Sequence, residues 1–171
     1  RKMIDAQIDR DDPFCVVLPF PCGPWNNLTY FNMSRYKHIE EKVLGEQKDH
    51  MPMLSWIRRL AERRMQNGRI ALLENGIASR AYKCTDLADL HGYPDGLMDT
   101  EFEYIPGDQC MIGQCDWETG EPYRARTLWG TNSECLKTAL GVDCDGSHTH
   151  QQVFGRNKFG KRSTQKAVWN E

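Results

Sequence analysis

Two short apolar runs separated by a helical pattern constrain this chain more than any other feature. Residues 14–18 read Phe-Cys-Val-Val-Leu, and residues 69–73 read Arg-Ile-Ala-Leu-Leu. Both carry branched residues that suit a pleated surface, and each ends at a turn. The first turn is Pro21-Cys22-Gly23-Pro24; the second is Glu74-Asn75-Gly76. Between the runs, Met53, Leu54, Ile57, Leu60, Ala61 and Met65 recur at helical spacing, which predicts a helix over residues 52–66 that stops at Asn67-Gly68. Strand, polar excursion, helix, strand is a βαβ crossover, a unit that is right-handed and parallel. The near-continuous apolar character of residues 14–18 predicts a strand covered on both faces. The expected fold is α/β: an open, mostly parallel sheet flanked by helices.

A length of 171 residues suits one domain with a real core. Residues 1–80 carry the βαβ half, residues 81–155 a hairpin-containing remainder, and residues 156–171 a basic tail. Residues 1–12 read as the end of a helix packing on the first strand, and residues 25–48 as a mobile loop with some helix. Further on, residues 86–90 predict a short helical piece, residues 93–96 a turn and residues 102–105 a strand. Residues 108–116 and 120–130 predict a β-hairpin, and residues 133–140 a small helix capped by Ser133. The irregular remainder from residue 141 is expected to hug the surface.

A formal charge of −2 provides no global basic field, so a nucleic-acid contact has to come from local clusters. The arginines at positions 58, 59, 63, 64 and 69 are expected to form a solvated helix face. No stretch reaches the length of a membrane span, and residues 1–10 lack the apolar core of a signal peptide, so a soluble intracellular protein is expected. Seven cysteines, an odd number, suit free thiols or a metal site better than a disulfide framework. Cys135, Cys144, His148 and His150 have the residue types of a zinc site, with Cys110 and Cys115 as spare ligands. Their spacing matches no well-known finger, and scattered surface histidines and buried thiols without a metal are expected instead. Trp25, Tyr30 and Tyr36 are expected to pack on the core rather than stack on bases.

The chemistry lies at the two turns. A thiolate that adds to carbon 6 of a cytosine makes carbon 5 nucleophilic, provided a group protonates or hydrogen-bonds N3 as charge develops in the ring. Cys22 and Glu74, each following a strand, are a minimal kit for that step. A Cys-His hydrolase using Cys22 with His38, His50 or His91 is the other chemical reading, although nothing in the sequence fixes such a dyad.

Pro21-Cys22 and Leu73-Glu74-Asn75 resemble, in type, order and strand context, the Pro-Cys and Glu-Asn-Val motifs of the DNA cytosine-5 methyltransferases. The closest flavour is the divergent type found in phages and mobile elements, with Pro-Cys-Gly-Pro-Trp and a late Thr131-Asn132-Ser133. Gly120-Glu-Pro122-Tyr-Arg124-Ala-Arg126 resembles the family's Gly-x-Pro segment with its following arginines. The resemblance implies a Rossmann-like methyltransferase core acting on DNA, with Cys22 as nucleophile, Glu74 at N3, and Arg124 or Arg126 supporting Glu74 and the base. It places Pro21 and Asn75 at the substrate, Asn75 bracing the turn. It also implies S-adenosylmethionine as cofactor. Residues 1–13 contain no glycine for the family's Gly-rich cofactor turn. The chain is therefore expected to be a fragment lacking its N-terminal cofactor half, or to take that half from a partner segment or chain; a binding module of the same fold without activity is the alternative.

Overall fold

The computed structural model describes residues 1–91, 102–153 and 155–161. Strands β1 (Cys15–Pro19), β2 (Ile70–Gly76), β3 (Glu103–Asp108) and β4 (Arg126–Thr131) form one sheet in the order β1-β2-β4-β3. β1 and β2 are parallel, with Cys15 opposite Ile70 and Pro19 opposite Glu74. β4 is antiparallel to both β2 and β3. The fold is α/β, but the sheet is mixed rather than mostly parallel. A parallel addition needs a long crossover, commonly an amphipathic helix, whereas residues 109–125 are polar and irregular and bring the chain back antiparallel. The hairpin arms are accordingly β3 and β4, not residues 108–116 and 120–130.

Among the described residues, five α-helices flank the sheet: α1 (Lys2–Asp11), α2 (Asn27–Arg35), α3 (Lys37–Gln66), α4 (Ala81–Cys84) and α5 (Glu134–Leu140). Leu54, Ile57, Leu60, Ala61 and Met65 of α3 are buried against Val16, Leu18, Ala71 and Leu73 of the parallel pair. Burying a large aliphatic side chain of this kind contributes about 1.5–3 kcal/mol before entropy is counted. α3 begins at Lys37 rather than at residue 52. Its first half is made of good helix formers such as Glu40, Glu41, Lys42, Glu46 and Gln47, and buries Val43 alone. With so little apolar stripe, that half carries no periodic signal in the sequence. Ser133 caps α5 as expected, its hydroxyl accepting from the Leu136 N–H.

β1 is an edge strand, and α3 covers only one of its faces. Val16 and Leu18 are buried, whereas Val17 is 59% exposed. The strand therefore alternates, against the expectation of cover on both faces. Pro19 and Pro106 both lie in edge strands, where a missing N–H costs least.

Four of the five clustered arginines pair with acids, while Arg59 is exposed as expected. Arg63 reaches Asp5 and Asp9 of α1, Arg58 pairs with Glu62 and Asp89, and Arg64 and Arg69 both hold Asp12. Arg64 is 2% exposed. The Arg63 and Arg64 contacts dock α1 and the residue that follows it on α3. The short hairpin of β5 (Arg156–Asn157) and β6 (Gly160–Lys161) follows the irregular segment. The turn expected at residues 93–96 and the tail beyond residue 161 lie outside the described residues. Among the described residues, no helix is long and apolar enough to cross a membrane.

Candidate active site

Cys22 is exposed and opens a 3-10 turn, Gly23–Trp25. Its carbonyl accepts from the Trp25 N–H at 3.0 Å. Asn26 Nδ2 and the Thr29 hydroxyl both donate to the Gly23 carbonyl, at 2.8 and 2.6 Å. The same Asn26 side chain caps α2, accepting from the Thr29 N–H. From outside the turn, the Arg80 N–H donates to the Trp25 carbonyl and Gln47 Nε2 to the Pro24 carbonyl. The thiol thus rides on backbone fixed by α2, α3 and the chain after β2. Trp25 is buried in the core; Tyr30 is half-buried beneath the Arg80 guanidinium, which lies 3.8 Å from its ring centroid. Tyr36 is 49% exposed, so it does not join the core as expected.

Glu74 lies within β2 rather than beyond it, because β4 continues the antiparallel ladder to Gly76. Its parallel partner is Pro19. Adjacent strands are about 4.8 Å apart and three residues span at most about 11 Å, so the Cα atoms of Cys22 and Glu74 lie within roughly 16 Å of each other. Alternation sends Leu73 and Asn75 toward α3 and Glu74 to the opposite face. There the half-buried carboxylate accepts from Gln109 Nε2 at 3.5 Å. Asn75 is 2% exposed and donates through Nδ2 to the Phe20 carbonyl at 2.7 Å. The residue after the acid therefore grips the chain two positions before the thiol.

The two arginines lie elsewhere. Arg124 is exposed, and Arg126 stands opposite Asp108 of β3. Its guanidinium pairs with Asp143 at 2.7 Å and Asp108 at 3.6 Å. Because β3 is the strand farthest from β1, this charge is matched on the side of the sheet remote from Cys22.

A cavity of about 590 Å³ opens between the segments that follow the two parallel strands. Asn27 lines it from the start of α2; Ile77, Ser79, Arg80 and Lys83 line it from the chain after β2. The Ser79 hydroxyl is buried there without a hydrogen-bond partner. No motif in the sequence marks these residues, since only the parallel register brings Asn27 beside them. Crevices at the carboxyl ends of parallel strands are where α/β sheets hold ligands.

A second cluster forms at the far end of the sheet. Cys110, Cys144, His148 and His150 bring their ligand atoms within 4.8 Å of one another. Cys144 Sγ lies 3.3 Å from His150 Nε2 and 3.8 Å from His148 Nε2. Burial first, then hydrogen bonding from Cys144, raises the Cys110 thiol to about 11. These histidines and thiols are gathered rather than scattered, but the fourth member is Cys110, not Cys135. Cys135 is exposed on α5, and Cys115 bridges to Pro122. No thiol–imidazole contact joins Cys22 to His38, His50 or His91 among the described residues; His91 stacks on Tyr104.

No family model, no curated protein and no solved structure matches the chain.

Proposed function

We propose that the Cys22–Glu74 edge activates a pyrimidine base in the manner of the DNA cytosine-5 methyltransferases. The observation that carries this reading is the parallel register of Pro19 with Glu74, reinforced by the bond from Asn75 to the Phe20 carbonyl. It brings a thiol-bearing turn and a carboxyl-bearing strand to the same end of the parallel pair, and the chain that leaves β2 there carries Arg80 and Lys83 in the wall of a cavity. A nucleotide extruded from its stack offers a flat base to the thiol and a phosphate to the two cations.

The Cys22 thiolate forms a bond to carbon 6, the carbon 5–carbon 6 electron pair moves into the ring, and Glu74 gives its proton to N3. Carbon 5 is then nucleophilic. It takes a proton from solvent and, on reversal, gives the hydrogen it first carried to water as a proton, after which the sulfur departs as thiolate and N3 returns its proton to Glu74.

S-adenosylmethionine would supply the methyl group to that carbon when bound, but the residues before β1 do not fit it. α1 runs into β1 through Asp12, whose carboxylate is clamped by Arg64 and Arg69, and Pro13. That connection presents no Gly-rich backbone cradle. The proposal therefore covers base activation, with any cofactor seat supplied by a partner segment or chain.

The test is release of tritium from DNA carrying 5-tritiated cytosine, in the absence of cofactor. Release by the native protein and its loss in Cys22→Ser supports the reading. Equal release by Cys22→Ser, or no release from duplex or single-stranded DNA, overturns it. The cations Arg80 and Lys83 at the cavity also suit a second reading, a nucleic-acid binding module of this fold. That reading predicts salt-dependent retention on DNA with no exchange at carbon 5.

A further inference from the structure

We infer that Cys110, Cys144, His148 and His150 form a structural zinc site that clamps the segment after α5 onto the end of β3. Four ligands of two soft sulfurs and two imidazole nitrogens are the donor set of closed, tetrahedral zinc centres. With zinc–sulfur bonds near 2.3 Å and zinc–nitrogen bonds near 2.0 Å, tetrahedral geometry sets ligand atoms about 3.3–3.8 Å apart. The Cys144 sulfur stands 3.3 and 3.8 Å from the two Nε2 atoms, and all four ligand atoms fall within 4.8 Å. One ion fits among them after only small side-chain shifts.

The surroundings are arranged for that role. Asp108 anchors the incoming segment twice: its N–H donates to the Val142 carbonyl, and its carboxylate accepts from the Cys144 N–H, both at 2.9 Å. The Gly146 N–H points at the Cys144 sulfur at 3.4 Å, a contact that favours thiolate. Gly146 has φ 75, a left-handed turn that a glycine adopts freely, and it swings His148 and His150 back toward the sulfur. Residues 141–150 contain no helix or strand, and Cys144, His148 and His150 are only half-buried. Such a segment has little core of its own to fix four soft ligands in one place. Zinc entry would displace the two thiol protons and leave a neutral centre of one dication and two thiolates. The ion would also steady Gln109, which precedes Cys110 and donates to Glu74; zinc binding itself does not depend on the proposed chemistry.

The test uses the full chain, purified without chelator and assayed for metal, then stripped and titrated with cobalt(II). The expected results are about one equivalent of zinc per chain and a cobalt derivative with thiolate charge-transfer and intense tetrahedral ligand-field bands. Cys110→Ser, Cys144→Ser and His150→Ala should each lose the stoichiometric zinc, while Cys135→Ser and Cys115→Ser keep it. Zinc retained by Cys144→Ser, a requirement for Cys135, or a weakly absorbing octahedral cobalt complex overturns the proposal. So does a Cys110–Cys144 disulfide in the freshly purified chain, read as a loss of two hydrogens by intact mass. The native cobalt spectrum decides the matter even where a variant fails to fold.

Discussion

Asn75 Nδ2 donates to the Phe20 carbonyl at 2.7 Å, so the strand that carries the acid directly holds the turn that carries the thiol. Neither residue touches solvent appreciably. Removing the amide leaves a buried carbonyl without that donor, and losses of this kind cost about 1–3 kcal/mol. Asn75→Ala should lower the thermal midpoint by several degrees and speed alkylation of Cys22 by iodoacetamide as its turn loosens. An unchanged midpoint with unchanged alkylation would mean that the contact braces nothing.

Glu74→Gln keeps the shape of the side chain and its place in β2, but removes the proton that base activation needs. Carbon 5 hydrogen exchange should fall by about 10²–10⁴-fold, the range for a lost general acid. Thermal stability should change little, because the half-buried side chain keeps room for a neutral amide. A variant that exchanges as fast as the native protein would remove Glu74 from the chemistry.

Asp12 links pH to stability. The Arg69 guanidinium that bonds it, seconded by Arg64, holds its carboxyl at about 2, below the ordinary 3.8. A folded value below the unfolded one means that the ionised form stabilises the native state. That contribution is complete above about pH 4 and is lost as pH falls from about 4 toward about 2. Asp12→Asn keeps a residue that tolerates the positive φ of this position, φ 38. Urea denaturation should find the variant weaker than the native chain at neutral pH, the gap narrowing across that acid window. A gap independent of pH would show that charge is not the cause.

Gly107→Ala tests the seat of α5. A β-carbon at Gly107 would lie 1.9 Å from the Leu140 carbonyl oxygen, backbone that has no rotamer by which to escape. The last turn of α5 must therefore lift away from β3, at a cost of about 1–3 kcal/mol or more. The urea midpoint should drop with little change in slope. Gly45→Ala, where nothing lies within 4 Å of the new carbon, serves as the sterically free control, and inside α3 it should hold or raise the midpoint. Equal midpoints for the two variants would contradict the packing described.

Local sequence alone determined β1, the start of β2, the second half of α3, the Ser133 cap and the Pro-Cys turn, whereas Glu74-Asn75, expected as a second turn, continues β2. These follow from side-chain periodicity and turn chemistry, which act over a few residues. It also supplied three of the four clustered metal-ligand candidates, because Cys144, His148 and His150 are near neighbours in the chain. Tertiary structure alone decided that Cys110 rather than Cys135 completes that cluster, since the end of β3 meets the segment after α5 only when the sheet has formed. It likewise decided that Arg63 and Arg64 of α3 face the aspartates of α1 and Asp12, that Arg126 answers Asp108 and Asp143, and that β4 enters antiparallel. Those outcomes depend on which charges and strand edges meet across long stretches of chain. Local pattern carries no record of such meetings, because their energy exists only after the intervening loops have closed.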